Sequence, residues 1–500
     1  MRFVKVLCVL ALVFAVSTVA YAETQSVKVS GDITLQAFAR NNYDLQSDDI
    51  PSIGGAASNT GVESTDWATF LQSIAEIQID ADLTDNVSGV IRLVNQRVWG
   101  DGLVYSGDMP GGTRPPVTPF GQTFARVAGG VAPGAAASYE VMVDLAYIEL
   151  KEFLYSPLTL KIGRQDLWFG KGFIIGNSLS NPGATLMAPE YTAITSFDAI
   201  RATLDYDPWT IDAVFAKVAE NGVRADDDTN LWGVNVGYVF DSYNAEAEAY
   251  WWMKQQRYVG TTAVAAQNIS VRNGNNSNDI QVFGGRGSFD PIEDWTIAVE
   301  AAYEFGNFIG ANNQISSRKR SAWAIDAMIE CRYWQDDFAW RPVIGAEYIF
   351  YSGEEDMGNT VAGTQGTFEG WDPMFRGKFD TAIREFQNVF YGTAMASSPS
   401  YTNQHQMLVR GTLEPTDSLT FEAVFGYFWL AEPWAQKSQT VRQNTQKDIG
   451  AEVDLRLTWD YTEDVSFDLL TGWFFPTGGH FAGNADDCAT DIVGAVKLSF

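Results

Sequence analysis

The chain has 500 residues and a formal net charge of −29, with 33 Lys and Arg against 62 Asp and Glu. We expect no nucleic-acid ligand, because binding to phosphates requires an excess of basic groups. Aromatic residues make up 13% of the chain and glycine contributes 45 residues, yet the mean hydropathy is only −0.11. The length would allow about three soluble domains of roughly 150 residues each, but no linker or change of composition divides the sequence.

Residues 1–22 have the pattern of a secretory signal peptide. Two basic residues precede an apolar stretch, and Ala20-Tyr21-Ala22 fits a cleavage site with small residues at its first and third positions. We therefore expect residues 1–22 to be removed and residues 23–500 to form one domain. Two cysteines then remain, Cys331 and Cys488, which are too few for a disulfide framework.

Alternating apolar and polar residues predict β-strands along the chain, as in Val27–Asn41, Trp295–Phe305 and Ala451–Trp459. Such alternation is typical of barrel strands that face lipid on one side and a lumen on the other. Eight short turn signals and nine longer connections predict eighteen strands. The turn signals are Thr84–Asn86, Tyr155–Pro157, Asp207–Pro208, Asp241–Tyr243, Asp290–Pro291, Gln335–Asp337, Pro415–Asp417 and Tyr461–Asp464.

The last alternating segment, Ile492–Phe500, runs to the final residue of the chain. Its outer edge needs a partner, which in a closed barrel is the first strand, Val27–Asn41. A terminal aromatic residue such as Phe500 also resembles the signal that the outer-membrane assembly machinery reads. We predict an all-β, antiparallel, membrane-spanning barrel of about eighteen strands in the cell outer membrane, with short periplasmic turns and long extracellular loops. Its surroundings would be outer-membrane lipid and lipopolysaccharide.

The segment Leu158–Gly170 departs from simple alternation. Strict alternation would turn Arg164 toward lipid, at a cost of about 2–4 kcal/mol for an Arg at the midplane. We predict a bulge at Gly163 that turns Arg164 and Asp166 toward the bore. The bulge would leave two bases, Lys161 and Arg164, facing the bore. It would turn two apolar side chains, Leu167 and Phe169, outward.

Several short motifs resemble the alginate-export family of outer-membrane barrels: Ile162–Gly170, Ser196–Arg201, Trp371–Phe379, Glu452–Leu455 and Phe474–Gly478. They are spread over roughly residues 158–480. The resemblance implies an eighteen-stranded, porin-like barrel, in agreement with the strand count. It also implies that an anionic polysaccharide passes outward through a constriction rich in Arg and Lys.

The resemblance and the alternation together predict the path of the solute. Arg164, Asp198 and Arg201 match motifs of the family, and the alternation adds Lys161 and Arg456 on the face toward the lumen. Rings of charge set selectivity in pores, and the guanidinium group of Arg binds carboxylates through two parallel hydrogen bonds. We predict that these five side chains line the path.

The acidity of the chain departs from the family pattern. Two pairs of predicted lumen acids, Glu246 with Glu248 and Glu300 with Glu304, would repel a polyuronate unless they are paired or kept off its path. The resemblance therefore supports the fold more strongly than it supports the substrate.

Catalysis is not expected, because only His405 and His480 could act as a histidine base and neither has a catalytic motif around it. No cofactor motif is present, and we predict no metal site. Transport would be passive, or driven through a periplasmic partner.

Two classes of function remain. The first is a channel, either for a charged saccharide or as a general porin for small hydrophilic solutes, including one that prefers cations. The second is a barrel that serves as a scaffold for adhesive or assembly loops. The connection Ser352–Thr402 discriminates between them: inside the bore it indicates a gated channel, and outside it favours adhesion or assembly.

Overall fold

Eighteen antiparallel strands close into a barrel in the computed structural model. The structure describes residues 26–42, 67–99, 141–177, 195–220, 228–257, 277–308, 318–332, 338–354, 366–377, 381–384, 402–432, 447–477 and 487–500. The predicted signal peptide lies outside these ranges. Within them, no helix is long and apolar enough to span a membrane.

The strands follow one another around the barrel in chain order. They are β1 Ser26–Asn41, β2 Trp67–Thr84, β3 Val87–Val98, β4 Met142–Leu150, β5 Leu158–Gln165, β6 Phe197–Tyr206, β7 Trp209–Ala219, β8 Thr229–Val239, β9 Glu246–Arg257, β10 Ser277–Ile292, β11 Trp295–Phe308, β12 Arg318–Cys331, β13 Val343–Tyr351, β14 Thr367–Phe368, β15 Gln404–Thr416, β16 Leu419–Leu430, β17 Asp448–Asp460, β18 Val465–Pro476 and β19 Ala489–Ser499. The two-residue β14 pairs in parallel with β12, while β13 pairs with β15 and continues the ring.

The first and last strands close the barrel, as the sequence predicted. Ile33 of β1 lies opposite Leu498 of β19 on one side and Ala75 of β2 on the other. The backbones of Gly31 and Phe500 exchange two hydrogen bonds of 2.9 Å. The seam is reinforced by an ion pair between Arg40 and Asp491, whose side chains are completely buried.

Eight connections join strand ends at one rim and nine join strand ends at the other. The predicted turn Gln335–Asp337 lies outside the described residues. Two predicted turns are wrong, because Pro291 and Pro415 lie inside strands: β10 continues to Ile292 and β15 to Thr416. The register shifts beside each proline. Proline has no N–H for the ladder and is tolerated at such irregularities, so the strands continue past it and the turns fall at residues 293–294 and 417–418.

The outward face carries aromatic residues near both rims. Trp209 packs on Tyr238 near the short turns, with ring centroids 4.6 Å apart. Phe215 packs on Trp232 near the long connections, at 4.3 Å. These pairs are typical of the aromatic girdles at the two membrane interfaces.

A hydrophobic core lies inside the barrel, although a water-filled lumen would be polar. Two connections at the long-loop rim fold inward and bury apolar residues against the inner wall of β7–β10. We call residues 166–177 the first inner loop, and residues 366–377 with 381–384 the second inner loop. Buried wall residues are Val214, Leu231, Trp252, Ile280 and Val282, and buried loop residues are Leu167, Phe169, Phe173, Ile175, Trp371, Met374 and Phe375.

Candidate functional site: the bore and its two inner loops

The first inner loop leaves β5 at Gln165. The side-chain amide of Gln165 donates to the carbonyl oxygens of Lys161, Gly163 and Ala199 at 3.0–3.2 Å. These bonds hold Gln165 against the inner wall, so the chain that follows enters the bore. Asp166 confirms this direction, since its carboxylate lies 3.5 Å from the guanidinium of Arg92 on the inner wall of β3.

Leu167 and Phe169 pack inside the barrel, so the prediction that they face lipid is wrong. Both are buried in the interior core, and the ring centroid of Phe169 lies 4.8 Å from that of Trp252. The guanidinium carbon of Arg201 lies 5.0 Å from the centroid of the Phe169 ring. The strand ends at Gln165, so membrane alternation no longer applies to the residues beyond it.

Lys171 fastens the first inner loop to the far side of the bore. Its ammonium group lies 3.2 Å from Asp326 of β12 and also contacts Glu347 of β13. Arg410 of β15 binds the other oxygen of Glu347. Burial alone would lower the pKa of Lys171, but Asp326 and Glu347 outweigh it and raise the pKa. The loop thus spans the bore from β5 to β13.

Backbone hydrogen bonds join the two inner loops. Phe375 donates to the carbonyl of Ile174 at 3.0 Å, Gly176 donates to Phe375 at 2.8 Å, and Gly377 donates to Gly172 at 3.0 Å. The contact is closest between Gly176 and Gly377, where a Cβ on Gly377 would lie 2.5 Å from the backbone of Gly176. Because real Cβ atoms do not approach backbone this closely, the junction requires glycine.

Charged side chains of the wall hold the second inner loop. Asp372 pairs with Lys254 of β9 at 2.5 Å, and its N–H donates to Glu304 of β11 at 2.9 Å. Arg320 of β12 donates to the carbonyl of Gly370 at 2.7 Å. Burial would raise the pKa of Asp372, but the positive charges of Lys254 and Arg320 outweigh it and lower the pKa.

The end of the second inner loop is held by carboxylates of β17. The N–H of Ala382 donates to Asp454 at 3.1 Å. The N–H groups of Ile383 and Arg384 donate to Glu452 at 2.6 and 2.8 Å. Residues 366–377 and 381–384 of the connection Ser352–Thr402 therefore lie in the bore, which favours a gated channel over a scaffold. Residues 355–365, 378–380 and 385–401 lie outside the described part of the chain.

Lys161 and Arg201 lie opposite each other on β5 and β6, on the face toward the bore. Lys161 pairs with Glu149 at 3.2 Å, and Arg201 pairs with Asp212 at 2.7 Å. The third predicted base of the inner face, Arg456 of β17, lies away from these two and pairs with Asp468 at 2.6 Å. That these bases contact a solute stays a prediction.

Arg164 and Asp198 lie on the outer face, and the predicted bulge at Gly163 is wrong. The pairing of β5 with β4 and β6 continues through Gly163 without a shift. Alternation therefore places Arg164 and Asp198 on the face of Ile162 and Ile200, which points away from the bore. The two side chains pair with each other at 3.4 Å. Since Arg164 lies next to the end of β5 at the long-loop rim, and beside a carboxylate, it avoids the midplane cost that motivated the bulge.

A family model described as alginate export matches residues 119–496, which is more than half of the chain. The chain belongs to the alginate export family. It is thus an outer-membrane channel for hydrophilic solutes, located in the cell outer membrane. The families it resembles are families of channels and not of enzymes. No curated protein matches the chain.

Solved porin structures share the fold of this alginate export family member. Pseudomonas aeruginosa OpdQ matches with a TM-score of 0.50 and 10% identity, covering 96% of this chain and 99% of the other. P. aeruginosa OccK2 (OpdF) matches with a TM-score of 0.51 and 11% identity, covering 95% and 99%. The structure of OccK2 (OpdF) in complex with glucuronate gives a TM-score of 0.51 at 9% identity, with coverage of 95% and 99%. At these identities the likeness concerns the fold alone.

The four predicted lumen acids that would oppose an anionic solute are paired or buried in this channel of the alginate export family. Glu304 is buried and lies 3.4 Å from Arg320, and buried Glu300 accepts a hydrogen bond of 2.8 Å from Tyr250. Glu248 pairs with Arg286 at 3.1 Å. Glu246 also contacts Arg286, at 2.5 Å, but remains 46% exposed.

In several other bore-lining ion pairs, the basic side chain is more exposed than its acidic partner. Arg201 is 27% exposed while its partner Asp212 is 4% exposed. Arg410 is 28% exposed, and Glu347 beneath it is 2% exposed. The Arg92–Asp144 pair has the same arrangement, with a buried carboxylate. The exposed side of these pairs is therefore basic, in spite of the net charge of −29.

The described residues contain no group of three or more His, Cys, Asp or Glu side chains that could hold a metal ion. His405 lies on the outward face, where its ring stacks on Trp429 with centroids 5.0 Å apart. His480 lies outside the described residues. Cys331 and Cys488 are both free.

The sequence reasoning missed the side chains that fix the inner loops. Lys171 and Lys254 were not singled out, although Lys171 stands between Gly170 and Gly172. Both glycines have positive φ angles, of 54° and 77°, which mark a tight turn. The pattern Gly-Lys-Gly directly after a strand was the available signal.

Proposed function

We propose that the channel passes an anionic saccharide with uronate-type carboxylates, and that the solute moves along the bases exposed in the bore. The observation that carries the proposal is the asymmetry of three ion pairs, Arg201–Asp212, Arg410–Glu347 and Arg92–Asp144, in which the carboxylate is buried and the guanidinium group is the more exposed partner. Lys161, Arg201 and Arg456, from the predicted path, form part of this basic lining with Arg410. Arg164 and Asp198 are not part of the proposed path, because they lie on the outer face.

The proposed direction is outward. It rests on the family description, alginate export, and on the passive nature of a barrel whose sequence has no nucleotide-binding motif. An anionic polymer would cross the bore in single file, one sugar at a time, since two inner loops occupy part of the cross-section. Each exposed base would hold a carboxylate weakly enough to release it to the next, as conduction requires.

A second candidate is a porin for small carboxylates. Two structures with the same fold favour it: OccK2 (OpdF) in complex with glucuronate and OpdK with vanillate. Both ligands are small anions. The inner loops, tied to the wall by buried ion pairs, suit a small solute as well as a threaded chain.

Current through single channels in planar bilayers tests the proposal. We expect a hexamer of galacturonate to block the current at lower concentration than a neutral glucose hexamer of the same length. Block by galacturonate monomer alone would support the second candidate. Preference for cations, together with no block by either uronate, would contradict both.

We further propose three partners. The exposed Phe500 at the end of β19 would be read by the outer-membrane assembly machinery. The outer face, with its girdles of aromatic rings, contacts lipid and would contact lipopolysaccharide at the long-loop rim. A periplasmic partner would supply the polymer at the short-turn rim.

A further inference from the structure

Trp168 is an exposed aromatic residue within the first inner loop. Its side chain is 48% exposed, while its neighbours Leu167 and Phe169 are buried in the core of the bore. The exposed indole therefore lies inside the barrel, on the side of the loop away from the wall. Contact of an apolar ring with water is unfavourable. Among the described residues, we find no packing contact that forces the ring into this exposed position.

The indole is held rigidly by its own loop. Its Nε1–H donates to the carbonyl of Gly170 at 3.0 Å. A Cβ on Gly172 would lie within 2.8 Å of three adjacent ring atoms, Cε2, Cζ2 and Cη2, so Gly172 covers one face of the ring. A Cβ on Gly176 would lie 3.0 Å from Cε3 and Cζ3 of the same six-membered ring. Two glycines of the loop thus pack against the indole, while 48% of the side chain stays exposed.

Polar groups lie on the chain segment that carries this ring and on the wall beside it. Asp166, two residues before it, accepts a hydrogen bond of 3.3 Å from Thr195 and lies 3.5 Å from Arg92. Arg201 lies against the adjacent Phe169. An apolar surface with a few convergent polar groups is the usual form of a small-molecule site. A pyranose ring fits it, because the sugar presents C–H groups on its face and hydroxyl groups at its edge.

We propose that Trp168 is a stacking platform for one pyranose ring of the saccharide in the bore, with Asp166 and Arg92 as hydrogen-bonding partners for its hydroxyl groups. The inference rests on the proposed function and adds a residue that selects sugars over other anions. The stacking acts through the ring and not through the charge, so it serves neutral sugars as well as uronates.

Residence times of single-channel blocks test the role of Trp168. The probes are the galacturonate hexamer, the glucose hexamer and citrate, an anion without a sugar ring. We expect Trp168→Ala to shorten the residence of both hexamers by about 3- to 10-fold and to leave citrate and the open-channel conductance unchanged. Trp168→Phe should keep most of the residence time, because it keeps an aromatic face. Trp232→Ala, which removes an equally exposed Trp from the outer face, serves as the matched control and should change none of them.

Unchanged residence of the hexamers in Trp168→Ala would overturn the inference. Equal shortening for citrate would also overturn it, because a loosened loop would then be the cause. A wild-type channel that the galacturonate hexamer does not block contradicts the proposed function. In that case, a Trp168-dependent block by the glucose hexamer would leave the platform standing alone, and no block by either hexamer would contradict both.

Discussion

Arg201 and Arg164 come from neighbouring motifs of the same family pattern and lie on opposite faces of the barrel wall. Arg201 reaches the bore, where its guanidinium lies over Phe169. Arg164 lies on the outer face beside Asp198. Arg164 lies three positions after Lys161, and an odd number of positions in an uninterrupted strand changes the face. Only Arg201 can therefore act directly on a solute in the bore.

The two arginines give a matched pair of variants. A unit charge at roughly 7 Å from the path shifts the energies of an anion and of a cation by about 0.6 kcal/mol each in water, in opposite directions. Screening at about 0.1 M salt roughly halves the difference, which leaves about a threefold change in their ratio. We expect Arg201→Ala to lower the ratio of anion to cation permeability by about threefold, and Arg164→Ala to leave it unchanged. Reversal potentials in a salt gradient measure this ratio. An equal effect of the two variants would contradict the assigned faces.

Gly377 is the residue on which the contact between the inner loops depends. The Cβ of Gly377→Ala would meet the backbone of Gly176 at 2.5 Å, and neither backbone can move without breaking the hydrogen bonds at Gly172 and Phe375. We expect this variant to separate the loops while the barrel stays closed. Limited proteolysis should then cut the loops faster, with no change in heat-modifiable migration of the barrel. Gly494→Ala, whose Cβ would meet nothing within 4 Å, is the control and should match the wild type.

The first inner loop, as an element, depends on Lys171. Lys171→Met removes the charge and leaves Asp326 and Glu347 buried with fewer counter-charges, and loss of one partner of a buried pair costs about 3–5 kcal/mol. Arg410 still pairs with Glu347, so we expect the lower end of that range. The loop should undock for part of the time, and single-channel recordings should show added current steps. A quiet current, equal to that of the wild type, would show that Lys171 does not hold the loop.

The docking of this loop should persist across neutral pH. Because Asp326 and Glu347 raise the pKa of Lys171, the contribution of its charge is complete below the pKa of a free lysine, about 10.4. It is lost only as the pH rises through the higher pKa of the docked state. We expect the wild-type channel to show added current steps, like those expected for Lys171→Met, only at strongly alkaline pH. Their appearance near pH 7 would contradict this assignment.

The strands could be predicted from the sequence because their signal is local. The alternation of β1 and β19 follows from lipid on one side and the lumen on the other, and the strand count follows from the turns between such segments. Pro291 and Pro415 misled the prediction, since a proline beside a turn and a proline at a register shift have the same local sequence. The barrel was thus predictable to within three residues at those turns.

The inner loops could not be predicted in the same way. Leu167 and Phe169 alternate as in a strand, and the apolar interior of the bore attracts such residues as strongly as lipid does. The partners that fix Lys171 lie 155 and 176 residues further along the chain. No residue near Lys171 in the sequence indicates that Asp326 and Glu347 are its partners. The exposure of bases above buried acids is likewise a product of these distant contacts, and it decides the electrostatics of the bore.

At the scale of the whole molecule, closure of the barrel depends on the seam between β1 and β19. Arg40 and Asp491 are fully buried there, 3.0 Å apart. Arg40→Met would leave Asp491 buried without its guanidinium, at a cost of about 3–5 kcal/mol. We expect the variant to lose its folded electrophoretic migration at a lower temperature. Arg456→Met removes an exposed pair worth less than about 1 kcal/mol and should barely shift that temperature. Equal shifts would show that the buried pair has no special part in closure.

We propose that this strongly acidic protein forms a bore that favours anions, because the carboxylates of several bore-lining ion pairs are buried while their bases are exposed. The most direct test is the zero-current potential of the wild-type channel in a planar bilayer with unequal KCl on the two sides. We expect a potential of the sign set by chloride. A potential of the sign set by potassium would contradict it.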